Sequence, residues 1–224
     1  MKRVVTPELL DDDLGTTEEI RSTLLDLRGF NRNFGGFHSI NSLLKRVALK
    51  KRLQSLSFLD VAGGTGDVAD SARLALGPDG LHVKATVLDR AVSHMTRKDA
   101  ELDRVAGDAL RLPFLSGSFD VVGCNLFCHH LEPGEVVRFF NEALRVTRHA
   151  VIASDLRRNL FHWVVAYAGR ITYRSRLTRN DAPASVRRAY TPQEISALAQ
   201  KSAANSFEVR RYYFQRFGLT LWKS

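Results

Sequence analysis

The sequence predicts an α/β fold in which a doubly wound, mainly parallel sheet is covered by helices. Three observations support this prediction. An apolar run that ends at Asp60 passes through a glycine-rich turn, residues 62–66, into a helical pattern. Apolar runs then alternate with helical stretches as far as Asp155, as repeated strand–helix–strand units do. Two strand-like runs, residues 207–214 and 217–222, end the sequence and predict an antiparallel pair.

Two helices are predicted before the first strand. Residues 16–19, Thr-Thr-Glu-Glu, have the pattern of a capping box, and apolar residues follow at helical spacing. Gly29 and the pair Gly35 and Gly36 interrupt this pattern, which resumes over residues 40–47. The two helices either form a lid over a site or cover one edge of the sheet.

The central elements follow from apolar runs that each end in a polar residue. Residues 82–88 alternate and predict a second strand that ends at Asp89. The run over 118–127 is long and apolar, as expected of a fourth strand that is buried on both faces. Pro133 begins a helix, and residues 150–155 predict a fifth strand.

A long connection separates the fifth strand from Thr191. Its length, about 35 residues, exceeds that of ordinary connections in compact folds and indicates a structure or function of its own. Residues 159–173 have amphipathic helical spacing with arginines at both ends, so this helix either packs as a lid or contacts a lipid surface. Thr191, Pro192 and Glu194 then begin a last helix.

The turn at residues 62–66 is typical of a nucleotide-cofactor loop, because glycines let the backbone approach a ligand closely. Gly64, Gly66 and Ala69 also satisfy the spacing of the dinucleotide-binding fingerprint. Asp60 favours a different cofactor, since a carboxylate just before the glycines suits a free amino group. Residues 60–66 resemble the first motif of class I S-adenosylmethionine-dependent methyltransferases, with Ala62 where a glycine is usual.

The resemblance continues along the next strands and implies a Rossmann-like, seven-stranded sheet with a terminal antiparallel hairpin, N-terminal helices and a helical insertion after strand five. It implies S-adenosyl-L-methionine as the cofactor. Asp89 would bind the ribose hydroxyls, a role that dinucleotide enzymes share, and Asp108 and Ala109 would hold the adenine. The cofactor-binding residues implied in this way are Asp60, Ala62, Gly63, Gly64, Gly66, Asp89, Arg90, Asp108, Ala109 and Asn125.

Three further residues are candidates for acceptor chemistry. His129 and His130 follow strand four, where the family places its substrate, and an imidazole of reference pKa about 6.5 is a suitable base near neutral pH. Asp155 ends strand five and is expected to orient that imidazole or to bind the acceptor hydroxyl. The arrangement resembles that of sugar O-methyltransferases of natural-product pathways. The alternative is that one imidazole only satisfies a buried backbone group.

The acceptor is less well defined than the cofactor. The first motif is most similar to that of menaquinone and ubiquinone C-methyltransferases, although the passage over residues 145–149 lacks the Pro-Gly-Gly turn of that family. We expect methyl transfer to a hydroxyl, preferably phenolic, of a hydrophobic aromatic or polyketide-like secondary metabolite. Quinol C-methylation, RNA methylation and a non-catalytic binding protein are the alternatives, and a nicotinamide oxidoreductase is a more distant one.

Composition sets further expectations. Residues 138–224 contain 16 Lys and Arg against 5 Asp and Glu, so the acceptor half is basic, but charge alone does not select a partner. The sequence lacks the Pro-Pro-Tyr type motif of nucleic-acid amino-methylating enzymes, so a small molecule is favoured over nucleic acid. No secretory signal or membrane-spanning run is evident, which predicts a cytoplasmic protein. Peripheral membrane contact and the oligomeric state stay open.

Metal and domain organisation complete the predictions. Cys128, His129 and His130 are adjacent, but no further Cys or paired His at ligand spacing completes a metal site, so none is predicted. We expect one methyltransferase domain over residues 1–224. Its expected parts are an N-terminal helical lid (1–54), a cofactor-binding core (55–155), a substrate-specifying insertion (156–190) and a final helix with the hairpin (191–224).

Overall fold

A computed structural model describes residues 1–11, 15–95 and 101–223, and the predicted α/β fold is confirmed. Seven strands in the described residues form one sheet with the order β3-β2-β1-β4-β5-β7-β6. The first five are parallel, and β7 runs antiparallel to both β5 and β6. The strands are β1 (Ser55–Val61), β2 (His82–Asp89), β3 (Asp103–Ala106), β4 (Phe119–Asn125), β5 (Thr147–Leu156), β6 (Ser206–Tyr212) and β7 (Arg216–Trp222).

Helices cover both faces of the sheet and its carboxyl edge. On one face α2 and α3 bury apolar side chains against the strands, and on the other α4 and α7 do so. The helices α1, α5 and α6 contact one another and lie apart from these two layers. The helices are α1 (Thr17–Asn33), α2 (Gly36–Lys51), α3 (Asp67–Leu76), α4 (Pro133–Val146), α5 (Leu160–Ala168), α6 (Arg176–Arg188) and α7 (Pro192–Gln200).

Two apolar clusters form the core, one on each side of the sheet, because the parallel strands are buried on both faces. Alternate residues of β1 enter different clusters: Phe58 packs with α2 and α3, whereas Leu59 packs with α4. The mostly buried strands hold the backbone of the sheet rigid, so polar residues at the strand ends have defined positions.

The break between the first two helices differs from the prediction. Helix α1 continues through Gly29, which has open space around its Cα, so glycine there is only tolerated. The chain turns at Gly35, whose φ of +76° and close approach to the carbonyl oxygen of Tyr213 both require glycine. The prediction that Gly29 interrupts the helix is therefore wrong, and the prediction for Gly35 is confirmed.

The connection after β5 contains two helices where one was predicted. Helix α5 ends at Ala168, and a second helix, α6, was missed because its buried face is largely polar. The residues buried on that face include Thr178, Asp181 and Ser185. The final hairpin is confirmed, but its turn occupies residues 213–215 instead of Gln215 and Arg216.

None of the helices in the described ranges combines the length and the apolar character that crossing a lipid bilayer requires.

Candidate active site

The carboxyl ends of the parallel strands surround a cavity of about 1110 Å³. Helices α1, α5 and α6 and the N-terminal segment, residues 1–11, form its remaining walls. Eleven of the thirteen residues predicted for the site line this cavity. They are Asp60, Ala62, Gly63, Gly64, Asp89, Arg90, Asp108, Ala109, Asn125, His129 and His130.

The other two predicted residues lie just behind the cavity wall. Gly66 is the N-cap of α3 and has a φ of +80°, a conformation that glycine adopts without strain. Asp155 is only 1% exposed and lies behind His129. Both residues therefore shape the site from within the protein.

The glycine-rich turn brings backbone close to the cavity. Ala62 and Gly64 both have a positive φ, of 56° and 51°, and Ala62 is the less favourable residue for this conformation. A Cβ at Gly63 would lie 2.8 Å from Oδ2 of Asp60, so no side chain fits at that position. The turn is therefore a tight cradle that ends at the amino terminus of α3, where backbone N–H groups attract negative charge.

Asp60 is a buried carboxylate without a counter-charge. It is 1% exposed, and its Oδ2 atom has no hydrogen-bond partner among the described residues. Burial, together with the nearby charge of Asp89, raises the pKa of Asp60 to about 7. A ligand ammonium group would restore the charged form, so this residue fits a cofactor that carries an amino-acid moiety.

Asp89 and Asp108 are held by backbone N–H groups. The two carboxylate oxygens of Asp89 accept hydrogen bonds from the N–H groups of Gly64, at 2.8 Å, and Ala91, at 2.9 Å. Oδ1 of Asp108 accepts a hydrogen bond from the N–H of Leu110 at 2.8 Å. Each carboxylate keeps acceptor capacity toward the cavity, since an oxygen atom has two lone pairs. The pair fits a ligand with hydroxyl and amino donors.

Asn125 and Arg90 are more engaged with the protein than the sequence suggested. Asn125 donates from Nδ2 to Oδ1 of Asn31 at 3.0 Å and accepts from the fully buried Arg216 at 3.1 Å. Arg90 donates to the backbone carbonyl of Asp11 at 3.3 Å. Both residues line the cavity, and their contact with a cofactor stays a prediction.

His129 and Asp155 form a buried pair. Nδ1 of His129 lies 2.7 Å from Oδ1 of Asp155, and the backbone N–H of His129 donates to Oδ2 at 3.0 Å. Burial alone would raise the pKa of Asp155, but the charge and hydrogen bonds of His129 and the backbone hold it below its usual value. A carboxylate at this position takes the Nδ1 proton, so the free lone pair of the imidazole is on Nε2.

The N-terminal segment supplies Glu8, which the sequence analysis missed. Oε1 of Glu8 lies 3.7 Å from Nε2 of His129 and has no hydrogen-bond partner in the described structure, while Oε2 accepts from Ser185 at 2.8 Å. Burial raises the pKa of Glu8 to about 7. The only signal in the sequence is a single acid between apolar neighbours, and nothing in that pattern points to a histidine more than 100 residues away.

His130 has a different environment from His129. Its Nδ1 lies 2.9 Å from Oδ1 of Asp11, and Arg188 donates to Oδ2 of the same carboxylate at 3.1 Å. Hydrogen bonds and charges from His130 and Arg188 outweigh burial and lower the pKa of Asp11. The structure therefore separates the histidine pair, with one ring on Asp155 and the other on Asp11.

Glu8, His129 and His130 each offer one potential metal-ligating atom, and these atoms lie within 4.8 Å of one another. The third ligand that the sequence lacked is thus present. However, the guanidinium of Arg188 lies 3.9 Å from Oε1 of Glu8 and already places a positive charge beside it. A metal-free site stays our prediction.

Comparisons with known proteins agree with this geometry. Residues 58–150 match the family described as "Methyltransferase domain". A demethylmenaquinone methyltransferase of Beutenbergia cavernae is 42% identical over 91 residues, which are 40% of this chain and 35% of that protein. The chain therefore spans about a third of the length of the curated relatives that it matches.

Solved structures extend the similarity to the whole fold. A S-adenosylmethionine-dependent methyltransferase from Aquifex aeolicus has a TM-score of 0.61 at 15% identity, covering 91% of this chain and 98% of that one. An O-methyltransferase family 2 protein from Planctomyces limnophilus, in complex with apigenin, has a TM-score of 0.65 at 17% identity and covers 94% of this chain and 62% of that one. At such identities the similarity shows the fold alone.

Proposed function

We propose that this chain, which carries a class I S-adenosylmethionine-dependent methyltransferase domain, transfers a methyl group to a phenolic hydroxyl of a hydrophobic aromatic or polyketide-like metabolite. The observation that carries the proposal is the buried His129–Asp155 pair, at 2.7 Å, whose Nε2 atom is next to the cavity. A base at this position removes the proton of a hydroxyl acceptor, which transfer to an acidic carbon does not require in the same place.

The cofactor-side residues have complementary roles. Asp60 binds the amino group, the turn at residues 62–66 contacts the amino-acid part, and Asp89 binds the ribose hydroxyls. Asp108 and Ala109 hold the adenine. When bound, the cofactor supplies a sulfonium methyl group that is attacked in line by the acceptor.

The acceptor hydroxyl is activated between two side chains. An oxygen atom about 2.8 Å from both Nε2 of His129 and Oε1 of Glu8 fits geometrically, since these two atoms are 3.7 Å apart. The acceptor proton passes to Nε2 of His129, and the resulting imidazolium is stabilised by Asp155. The oxygen forms the new bond to the methyl carbon as the carbon–sulfur bond breaks, so the sulfur leaves as a neutral thioether.

The walls of the cavity support a hydrophobic acceptor. Side chains from α1, α5 and the final hairpin present apolar surface to it, whereas the polar groups are concentrated near His129. We infer that residues 1–54 act as a lid and that residues 156–190 select the acceptor. The apolar residues that line this part are Leu24, Leu27, Phe30, Val165, Ala166 and Phe214.

A second candidate function is C-methylation of a quinol. It is favoured by the curated relative, whose printed name is demethylmenaquinone methyltransferase. In that reaction the same base would deprotonate a ring hydroxyl and direct the charge to a ring carbon. A nucleic-acid acceptor is not favoured by any contact in the described site.

The test is a screen of phenols, quinols and sugars for methylated product, followed by mass spectrometry to locate the methyl group. With the best phenol, we expect His129→Ala to lower kcat about 10²- to 10⁴-fold, the usual contribution of a general base. His82→Ala, which changes an exposed histidine at the start of β2, is the matched control and should retain native turnover. Near-native kcat in His129→Ala, or a methyl group found on carbon, would contradict O-transfer by this base.

A further inference from the structure

The outer side of α5 presents a continuous apolar surface. Leu160, Phe161, Val164 and Tyr167 are spaced along one side of this helix, and Ile171 follows in the next turn. Across from them, Phe214 of the hairpin contacts Phe161 and Tyr213, with ring centroids 6.0 and 5.7 Å apart. We call the outer apolar face the set Leu160, Phe161, Val164, Tyr167, Ile171 and Tyr213, which are between 49% and 89% exposed.

This surface stands out from the rest of the described protein. Six of the fourteen large apolar side chains that are exposed among the described residues belong to it. Isolated exposed apolar residues are common on protein surfaces, whereas a contiguous group indicates a surface that contacts something apolar.

Positive charge surrounds the outer apolar face. Residues 156–180 include six arginines and no Asp or Glu. The guanidinium of Arg170 lies 5.0 Å from the ring centroid of Tyr167. On the hairpin side, burial and the nearby charge of Arg211 lower the pKa of Arg157, so these two cations are close to each other.

The carboxylates nearest to this segment are already engaged on its inner side. Glu19 pairs with Arg176 at 3.0 Å, and Asp26 accepts hydrogen bonds from the backbone N–H groups of Arg174 and Ser175. The rim of the outer apolar face therefore keeps a net positive charge.

The inner side of the same helix is a wall of the active-site cavity. His162, Val165 and Ala166 of α5 line it, and Phe214 lines it from the hairpin. The outer apolar face and the cavity are thus separated by a single helix and one aromatic side chain, so a ligand that enters beside α5 would come directly from whatever covers this face.

We propose that the outer apolar face docks reversibly on the surface of a lipid bilayer that contains anionic lipids. Apolar side chains with an arginine rim match the boundary between acyl chains and anionic headgroups. A second copy of the chain is a poorer occupant, because a symmetric contact through this face would bring the arginine rims together. In this position the cavity receives a hydrophobic acceptor from the bilayer. That last step rests on the proposed function, whereas docking itself does not.

The test is flotation of the full chain with vesicles of phosphatidylcholine, with and without about one quarter phosphatidylglycerol, at low and high salt. We expect binding to the anionic vesicles that is lost when salt rises from about 0.1 to about 1 M, because the Debye length falls from about 10 to about 3 Å. The double variant Phe161→Ser and Ile171→Ser, and the double variant Arg170→Gln and Arg211→Gln, should each bind at least about fivefold less.

A matched control changes two exposed leucines near the opposite edge of the sheet, Leu74→Ser and Leu115→Ser, and should float like the native chain. Calorimetric binding of S-adenosylhomocysteine by every variant verifies folding, so a failure of docking is distinguished from a failure of the cofactor site. Equal flotation of the Phe161/Ile171 variant and the control would overturn the proposal. So would no binding to anionic vesicles at low salt, or a dimer in sedimentation that the Phe161/Ile171 variant abolishes.

Discussion

At the scale of single residues, Asp155 determines what His129 can do. The carboxylate holds the Nδ1 proton of the imidazole at 2.7 Å and is itself kept ionised by this contact. Nε2 is therefore an acceptor before the reaction and a stabilised cation after it. The same pair explains why His129, of the two adjacent histidines, is the one positioned as a base.

The first prediction concerns this pair. Asp155→Asn offers an amide N–H to Nδ1 and so favours the tautomer that carries its proton on Nε2, which cannot accept another. We expect kcat to fall about 10²- to 10⁴-fold while the affinity for S-adenosylhomocysteine is unchanged. Asp79→Asn, which changes an exposed carboxylate paired with Lys45, is the control. Unaltered kcat in Asp155→Asn would show that the pair is only structural.

The second prediction concerns Asp60 and pH. Its folded pKa of about 7 exceeds its ordinary value of 3.8, so between these values the folded chain holds a proton that the unfolded chain has released. This carboxyl therefore lowers the free energy of unfolding as pH rises from about 4 to 7, by up to about 4 kcal/mol at 1.4 kcal/mol per pKa unit. Above the folded pKa this effect is constant.

Asp60→Asn removes this effect, since the amide carries no charge. We expect the variant to have a higher Tm than the native chain at pH 8, a smaller difference at pH 5, and weaker binding of S-adenosylhomocysteine. Differential scanning calorimetry at both pH values measures the first two quantities. A Tm difference that does not change with pH would mean that Asp60 is not the buried, uncompensated acid described here.

At the scale of elements, the N-terminal segment is joined to α6 by a carboxylate. Asp181 accepts the backbone N–H groups of Leu9 and Leu10 at 2.9 and 3.1 Å, and Ser185 of the same helix donates to Glu8. Helix α6 is thus what brings Glu8 to His129. Its polar inner face faces a site instead of the core.

The third prediction tests that connection. Asp181→Ala leaves two buried N–H groups without their acceptor, at about 1 kcal/mol or more each, and should release residues 1–11. We expect faster proteolysis of this segment and a kcat/KM about tenfold lower or less, with cofactor affinity unchanged. Asp26→Ala is a matched control, because Asp26 also accepts two backbone N–H groups, but those of Arg174 and Ser175. Equal proteolysis in both variants would contradict the role given to Asp181.

Elements with an apolar period were predictable, and those built around the site were not. The strands ending at Asp60, Asp89 and Asp155 are clear in the sequence because they are buried and continuous. Helix α6 has few apolar residues, so its pattern resembles a loop. Likewise, spacing along the chain finds groups at neighbouring strand ends, but it contains no information on Glu8, which reaches His129 only through the path of the folded chain.

At the scale of the whole molecule, charge is arranged so that no ion is required. Arg188 pairs with Asp11 at 3.1 Å and lies 3.9 Å from Glu8, beside the three residues that otherwise suit a divalent metal. The fourth prediction is that prolonged dialysis against a chelator leaves turnover unchanged and that the purified protein holds far less than one equivalent of metal. A stoichiometric metal that is lost in Glu8→Gln but retained in Glu135→Gln would reverse this interpretation.

The central claim is that the cavity at the carboxyl edge of the sheet is a S-adenosylmethionine site. Isothermal titration calorimetry of the purified chain with S-adenosylhomocysteine, and separately with the reduced nicotinamide dinucleotides, tests it most directly. Our account predicts one site of about micromolar Kd, near −8 kcal/mol, for the homocysteine compound and no heat of binding for the dinucleotides. Binding of a nicotinamide dinucleotide alone, or of neither compound, would contradict it.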